Sequence, residues 1–363
     1  MGSRERVARA LSFREPDRVP VDFWASGGFY QMLEEKRGLD REEFLDRHDV
    51  DLRYIPGPAY TGPTLAGDHE GEADIWGVRR RTVRIRTRFG TETYTEVVSH
   101  PLADARSARD VEDYPGWPSP DWFDYSPVRA QCEAVRARGR VAAFMGDRLN
   151  RIAQLKPAMY LRGVEQLMVD LLESPDIAEA IFDRIRTFYT EYLKRILQAA
   201  DGKLDMVVTG DDFGTQRGPI ISPGTWSRYL ATGFRRYIEI CHRHGVRVSH
   251  HTCGAVTVLL PKMVDCGLDA LQSLQPEAMA ADFPSIKRRY GRRLAFHGGI
   301  SVQQTLPRGT PDDIRREVRE RAEVLAPGGG YIFCTAHNVQ SDCPIENVEA
   351  LLVAYHESGR YPR

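Results

Sequence analysis

The segment Val246-Arg247-Val248-Ser249-His250-His251-Thr252 decides the fold that this sequence predicts. It is short and rich in residues that favour strands, and the amphipathic stretch Thr225–His244 precedes it. Strands alternating with helices over short connections predict a parallel sheet, and eight such units predict a (β/α)8 TIM barrel. Seven further runs of the same kind complete the set: Arg18–Phe23, Val50–Ile55, Val141–Gly146, Met206–Gly210, Ala270–Gln275, Leu294–Gly299 and Tyr331–Ala336.

The regular alternation fails in the N-terminal third of the chain. There, Val78–Arg88 and Thr91–Ser99 predict an antiparallel β-hairpin inserted above the barrel, and the proline-rich loop Tyr114–Pro127 follows. The rest of the chain contains no internal repeat or low-complexity tract. We therefore expect a single barrel domain over residues 1–363, with an excursion that carries the hairpin at residues 72–130.

Composition excludes several classes of function. The chain has 363 residues, 42% of them hydrophobic and 28% charged, and its net charge of −1 gives no general attraction for nucleic acid or an anionic membrane. No apolar stretch follows the charged start Met1–Arg6, and six cysteines in a chain of this length do not predict a disulfide framework. These features predict a cytoplasmic enzyme with free thiols, and a homodimer is the common arrangement at this size.

Three side chains offer the donor set of a zinc site. His251 and Cys253 lie two residues apart at the end of a predicted strand, so their side chains point the same way and could share one metal. Cys334 lies at the end of the last predicted strand. One imidazole and two thiolates are the ligands of a zinc ion that keeps an open coordination position, which is characteristic of catalysis.

Other reactive side chains fall at the same edge, because active sites of (β/α)8 barrels form at the carboxyl ends of the strands. Asp211 and Asp212 follow Met206–Gly210, and His337 follows the last strand. The two aspartates are candidates to take a proton from a substrate or to fill the open metal position, and they could equally cap the segment that follows them. We add His337 to the predicted catalytic residues.

The remaining histidines and cysteines have simpler interpretations. His242 and His244 precede Gly245 at a predicted helix C-terminus, where cationic side chains suit the helix dipole. His250 points away from His251 and is expected to pack outside the barrel. We expect three other cysteines to be buried and to pack as small apolar residues without binding a metal: Cys241, Cys266 and Cys343.

Several motifs together resemble the uroporphyrinogen decarboxylase superfamily, and the resemblance extends over nearly the whole chain. Within that superfamily the chain is most similar to the zinc-dependent, cobalamin-linked methyltransferases, whose His-x-Cys pair and distant Cys correspond to His251, Cys253 and Cys334. Decarboxylases carry an arginine-containing segment where this chain has Ala25–Tyr30, and they tend to have asparagine in place of Cys334. The motifs are the start 4–11 with Glu15–Asp22, Gly210-Asp211-Asp212-Phe213-Gly214-Thr215-Gln216, His251-Thr252-Cys253-Gly254, Gly298-Gly299-Ile300 and Leu325–Tyr331.

The resemblance implies a zinc-dependent methyltransferase that moves a methyl group to or from a thiol or a corrinoid protein, with Zn²⁺ activating the thiolate. The chain lacks the Asp-x-His-x-x-Gly motif that ligates a corrinoid, so a methylcorrinoid would arrive on a separate protein. The other partner would be a small-molecule methyl donor or thiol acceptor. The alternative is a metal-free carboxy-lyase of the decarboxylase type, in which Arg148, Arg151 and Arg162 pair with substrate carboxylates.

Overall fold

The computed structural model describes residues 1–65, 67–68, 71–146, 151–278 and 282–361. In the described chain the strands are β1 Leu52–Tyr54, β2 Ala59–Tyr60, β3 Gly67–Asp68, β4 Gly71–Ala73, β5 Arg79–Arg86, β6 Thr91–Ser99, β7 Phe123–Asp124, β8 Val141–Phe144, β9 Met206–Gly210, β10 Arg247–His251, β11 Ala270–Leu274, β12 Ala295–Ile300 and β13 Tyr331–Thr335. The α-helices are α1 Ser3–Leu11, α2 Gly27–Arg37, α3 Arg41–Arg47, α4 Ala108–Glu112, α5 Pro127–Ala137, α6 Leu155–Arg162, α7 Val164–Glu173, α8 Pro175–Ala200, α9 Pro223–Tyr229, α10 Ala231–Arg243, α11 Leu260–Asp265, α12 Phe283–Tyr290, α13 Thr305–Arg308, α14 Pro311–Leu325 and α15 Ile345–Ser358.

Seven parallel strands form the main sheet, in the order β1-β8-β9-β10-β11-β12-β13. Neighbours in this order are also successive along the chain, apart from the excursion between β1 and β8. Helices follow most of these strands, as in a barrel whose strands are joined by crossover helices. The predicted (β/α)8 fold class is therefore confirmed.

The eighth position of the barrel is filled by an irregular segment. Arg18–Phe23 was predicted as a strand, but it pairs only through isolated bridges, such as the parallel bridge between Val21 and Phe333 of β13. The Asp22 N–H donates to the carbonyl of Phe333 (2.9 Å), and on the other side the Asp51 N–H donates to the carbonyl of Val21 (2.9 Å). Pro20 lacks the N–H that a regular ladder needs, and the Val21 N–H donates to the Asp51 side chain, so the segment joins β13 to β1 without forming a full strand.

The interior of the barrel is apolar towards the amino ends of the strands. Val141, Met206, Ala270, Ala295 and Ile332 belong to one buried cluster there. In the same cluster, side chains of α1 cover that end of the barrel: Val7 and Leu11. Since strand side chains alternate, residues two positions further along each strand also point inward and approach the carboxyl edge.

The predicted hairpin is present and belongs to a larger unit. Strands β5 and β6 pair antiparallel as predicted, and β3 and β4 extend them to a four-stranded sheet that begins at Gly67, before the expected boundary of residue 72. Buried Glu92 anchors this sheet, because it accepts a hydrogen bond from Ser26 Oγ (2.7 Å) and another from the Ser341 N–H (2.7 Å). The sheet therefore lies against the loop that follows β13.

One predicted helix is two helices. The stretch Thr225–His244 divides into α9 and α10 at Leu230, whose own N–H still donates to Trp226. Helix α14 begins with a capping box, in which Thr310 and Asp313 exchange side-chain and backbone hydrogen bonds. Among the described helices, none is long and apolar enough to cross a membrane.

Candidate metal and substrate site

The loops after β9 and β10 pack backbone against backbone, and glycines make this contact feasible. Gly254 has φ of 88°, and a Cβ on it would lie 2.2 Å from the carbonyl carbon of Gly214. The N–H of Phe213 donates to Thr252 Oγ1 (2.9 Å), and that of Gly214 to the carbonyl of Cys253 (3.2 Å). These contacts explain the glycines of the two motifs and fix Cys253 at the carboxyl edge of the barrel.

His251 and Cys253 are brought together as predicted. His251 Nε2 lies 3.6 Å from Cys253 Sγ. Zinc bonds of about 2.0–2.1 Å to nitrogen and 2.3 Å to sulfur, at a tetrahedral angle, place two such donors about 3.6 Å apart. The separation of this pair therefore fits two ligands of one zinc ion.

The protonation chemistry of the pair also fits a cation. Burial lowers the pKa of His251 well below its ordinary value, so its imidazole is neutral and has a lone pair to offer. Burial raises the pKa of Cys253 to about 12, so a thiolate at this position needs a neighbouring positive charge. His251 Nδ1 is buried without a hydrogen-bond partner in the described chain, so no hydrogen bond orients the ring from that side.

The third predicted ligand is not in the same group. The donor atoms of His251, Cys253 and His337 lie within 4.8 Å of one another, whereas those of Cys334 lie in a second group with Asp22 and His297. The reason is that β13 continues one residue beyond Cys334. The side chain of Cys334 points into the barrel, on the same side as that of Ile332. Cys253, in contrast, lies two residues beyond His251, the last residue of β10, and is at the rim of the barrel.

The second group is fully buried inside the barrel. His297 Nε2 lies 3.0 Å from Asp22 Oδ2, and both side chains have no exposed surface. Tyr54 donates to the same carboxylate oxygen (2.6 Å). Asp22 and Tyr54 were not predicted as site residues; Asp22 appeared only within a family motif, and no short spacing in the sequence links it to Cys334.

Asp212 lies beside the His251–Cys253 pair. Its Oδ1 accepts the N–H of Cys253 (3.0 Å) and lies 3.9 Å from His251 Nε2, while its Oδ2 forms an ion pair with Lys156 Nζ (2.5 Å). Burial alone would raise the pKa of Asp212, but Lys156 and the other contacts hold that pKa below its ordinary value. Lys156 was not identified from the sequence as a site residue, because it lies in α6, far along the chain from Asp212.

Asp211 points the other way and has a structural role. Its carboxylate accepts the N–H groups of Gln154 (2.5 Å), Leu155 (3.0 Å) and Lys156 (2.7 Å) at the start of α6. It therefore caps a helix that precedes it in the chain, not a following segment as the sequence had indicated. Of the two predicted aspartates, therefore, only Asp212 lies beside His251 and Cys253.

Replacing Asp211 with alanine is expected to lower the free energy of unfolding by about 2–3 kcal/mol, because three buried N–H groups lose their acceptor. Zinc content should stay at the wild-type level, since Asp211 does not face the His251–Cys253 pair. Urea unfolding together with elemental analysis tests both parts. Loss of zinc in Asp211→Ala at unchanged stability would show that Asp211 is a site residue after all.

The other histidines are placed as their simpler interpretations predicted. His250 packs outside the barrel, with its ring stacked on Phe213 (centroids 5.1 Å apart) and its Nδ1 2.8 Å from Thr209 Oγ1. Helix α10 ends at His244, its C-cap, but His242 does more than cap. Its Nε2 lies 2.7 Å from Asp269 Oδ2, forming an ion pair whenever the imidazole is protonated.

Two cavities meet at His337 and Asn338, which line both. The first, of about 200 Å³, contains His251 in its wall, and we call it the aromatic cavity after its other lining residues Trp24, Trp76, Tyr160 and Tyr189. The second, of about 670 Å³, contains Cys253, and we call it the amide cavity after Gln216, Gln275, Gln303, Gln304, Gln340 and Asn338. His251 and Cys253 therefore border different cavities.

Basic side chains also line the aromatic cavity. Arg151 crosses the end of β9, where a Cβ on Gly210 would lie 2.6 Å from its Cδ, so any larger residue there would displace the arginine side chain. Arg80 pairs with Asp74 (2.8 Å), and its guanidinium lies 4.5 Å from the ring centroid of Tyr160. With Lys156, which pairs with Asp212, and with Asp74 in the same wall, these groups give the cavity a charged lining whose basic members could pair with an anionic group of a small molecule.

The arginines assigned to the decarboxylase alternative are placed differently from one another. Arg162 is buried, paired with Asp170 (2.6 Å), and donates to the carbonyls of Leu102 and Ala103 (2.5 and 2.9 Å), so it is not free to grip a substrate. Arg148 lies outside the described residues. Of the three, Arg151 alone is seen in the described chain to line a cavity.

Fold and site define a barrel protein with a candidate metal site, the group of His251, Cys253 and His337, at the carboxyl edge of its parallel sheet. The family model for uroporphyrinogen decarboxylase (URO-D) matches residues 151–358, more than half of the chain, and the chain belongs to that family. The predicted resemblance is thus confirmed.

Among the individual relatives are both a methyltransferase and a decarboxylase, the two classes of enzyme that the sequence analysis compared. The chain is 27% identical over 201 residues to the methylcobamide:CoM methyltransferase MtaA of Methanosarcina barkeri, a match that covers 54% of each protein. It is 34% identical over 194 residues to a uroporphyrinogen decarboxylase of Pseudoalteromonas translucida, covering 52% of this chain and 50% of that protein. The chain thus spans about half the length of the curated relatives that it matches.

A solved structure gives the same fold over the whole chain. A methyltransferase from Methanosarcina mazei superposes with a TM-score of 0.71, covering 98% of this chain and 99% of that one at 18% sequence identity. This likeness extends the shared architecture to the N-terminal third, which the family model does not reach.

Proposed function

We propose that this protein is a zinc-dependent methyltransferase that moves a methyl group between a corrinoid carried on a separate protein and a small-molecule thiol. The observation that carries the proposal is the His251–Cys253 pair, whose 3.6 Å separation fits two zinc ligands at the edge where barrel enzymes act. Similarity to the methylcobamide:CoM methyltransferase of Methanosarcina barkeri supports the direction of the proposal.

We assign Cys334 as the third ligand, because two thiolates and one imidazole match the preference of zinc for soft donors. In the structure His337 is the third member of the group with His251 and Cys253, while Cys334 is grouped with Asp22 and His297, so we propose that the Cys334 side chain turns towards the pair when zinc binds. The two arrangements differ in one sulfur, so a count of sulfur ligands separates them.

When bound, zinc would supply a Lewis acid that holds the acceptor thiol as a thiolate near neutral pH. The protein's own side chains arrange the rest. Asp212 holds the Cys253 backbone in place and lies near enough to take the open position in the absence of thiol, while Lys156 draws its carboxylate towards α6. The thiol would lose its proton to solvent on binding. Its sulfur would then use a lone pair to form the bond to the methyl group, while the electron pair of the broken cobalt–carbon bond would stay on the corrinoid.

His337 and Trp24 border the reacting groups. The ring of His337 lies 5.3 Å from those of both His251 and Trp24, and His337 lines both cavities. This position suits the predicted role of His337 in contacting substrate. The aromatic cavity, with its basic side chains, is where we place the small thiol.

A methyl-transfer assay tests the proposal. Free methylcobalamin serves as the donor and a panel of thiols, with and without an anionic group, as acceptors; demethylation is followed by the change in the corrinoid spectrum. We expect zinc-loaded wild-type protein to methylate a thiol and chelator-treated protein to be inactive until zinc is restored. Equal activity without metal, or release of carbon dioxide from uroporphyrinogen in place of methyl transfer, would overturn it.

A further inference from the structure

The amide cavity carries a second inference, which rests on the proposed function and goes further by placing the corrinoid. The side chains that give the cavity its name supply six carboxamides around one opening. Each carboxamide offers two donors and one acceptor oxygen, and none carries charge. Such a wall suits a ligand that is itself rich in neutral carboxamides.

Charged groups are scarce around this opening. Among the described lining residues Arg308 is the single cation, apart from histidine, and Asp342 the single carboxylate. A porphyrinogen carries a carboxylate on each of its arms and would need arginines to neutralise them. A corrin ring carries acetamide and propionamide arms, which form neutral amide–amide hydrogen bonds.

Several of these amides are available to a ligand. Within the described chain, the side chains of Gln216, Gln303 and Gln304 form no hydrogen bond, while Gln340 donates to Tyr94 of the hairpin sheet and Gln275 accepts the Gly254 N–H (3.1 Å). Two members of the wall are thus held in place by the fold, and three project from loops after β9 and β12. Cys253 lies in the same wall, so a macrocycle seated here is next to the metal pair.

We propose that the amide cavity binds the carboxamide-bearing edge of the corrin ring, while the small thiol occupies the aromatic cavity on the other side of His337 and Asn338. The two substrates then approach the His251–Cys253 pair from opposite sides. Among the described residues, His337 and Asn338 alone line both cavities, so the methyl group passes from one cavity to the other beside them.

The test compares two corrinoids with the same macrocycle. Cobinamide has carboxamide arms, whereas in cobyrinic acid the arms are carboxylates; both are used as their dicyano forms, and binding is measured by equilibrium dialysis. We expect wild-type protein to bind cobinamide at least about tenfold more tightly, since a few hydrogen bonds of ordinary strength account for that factor. Equal binding of the two compounds, or no binding of either, would overturn the assignment.

Variants locate the effect. Gln216→Leu/Gln303→Leu should lose the preference for cobinamide, and Gln216→Lys/Gln303→Lys should shift it towards cobyrinic acid, a gain that misfolding cannot mimic. Gln198→Leu, at an exposed position near the end of α8, is the matched control and should behave as wild type. If the leucine variant keeps the wild-type preference, the corrin edge binds elsewhere.

The same preparations separate this inference from the proposed function. Zinc content and thiol methylation from methylcobalamin are measured alongside dialysis. Active, zinc-loaded protein with no amide preference would overturn the docking assignment alone. Protein that prefers cobinamide but transfers no methyl group to any thiol would overturn the proposed function and leave a corrinoid-binding barrel.

Discussion

Cys253→Ser is expected to lose nearly all bound zinc and to lower the methyl-transfer rate by more than about 100-fold. Changes to the partners that merely orient metal ligands commonly cost 10–100-fold, and removal of a ligand itself costs more. Serine keeps the size of the side chain, and the Cys253 N–H can still donate to Asp212. The barrel should therefore fold normally, with a urea midpoint equal to that of metal-free wild-type protein.

The matched control is Cys266→Ser. Cys266 is also buried, at the end of α11, and its Sγ makes only a weak contact with the Ala231 carbonyl (3.9 Å). Zinc content and methyl transfer should both match those of wild type in this variant. Retention of stoichiometric zinc by Cys253→Ser would remove Cys253 from the ligand set and, with it, the basis of the proposal.

The second large effect concerns closure of the barrel. Asp51→Ala is expected to lower the free energy of unfolding by about 3 kcal/mol, because removing one member of a buried charge network leaves its partners uncompensated. Asp51 has no exposed surface and accepts hydrogen bonds from Arg6 (2.7 Å), Arg18 (2.7 Å) and the Val21 N–H (2.8 Å). It thereby ties the irregular eighth segment to β1.

Urea unfolding measures this effect against Asp113→Ala. Asp113 pairs with Arg109 on the surface, where the two side chains are 70% and 86% exposed, so its loss should change the free energy of unfolding by less than about 1 kcal/mol. Similar small effects in both variants would show that the eighth segment is held by its backbone bridges alone.

Much of the fold could be predicted because local patterns determine it. The runs that became β8 to β13 are short and buried except at Arg247, and their predicted bounds differ from the observed ones by at most two residues. Two features escaped prediction. The break at Leu230 lies within a continuous amphipathic pattern. The segment Arg18–Phe23 has strand-like residues, but Pro20 and the hydrogen bond of the Val21 N–H to Asp51 interrupt its ladder.

The site was predictable only in part, because much of it is assembled by contacts between distant residues. His251 and Cys253 share one strand end, so spacing alone predicted their approach. The ion pair of Lys156 with Asp212, and the contact of Asp22 with His297, join residues from different parts of the chain that no local pattern connects. The separation of Cys334 from His251 and Cys253 depends on one extra residue at the end of β13. Sequence patterns do not predict the end of a strand to within one residue.

The measurement that tests the central claim most directly is zinc content combined with X-ray absorption at the zinc edge, on protein purified without chelator. We predict near-stoichiometric zinc with two sulfur ligands and at least one imidazole nitrogen, loss of zinc in His251→Ala and Cys334→Ser, and retention in His337→Ala. A single sulfur with two imidazoles would identify His337 in place of Cys334 as the third ligand. Absence of zinc from folded wild-type protein, even after zinc is added, would contradict the account.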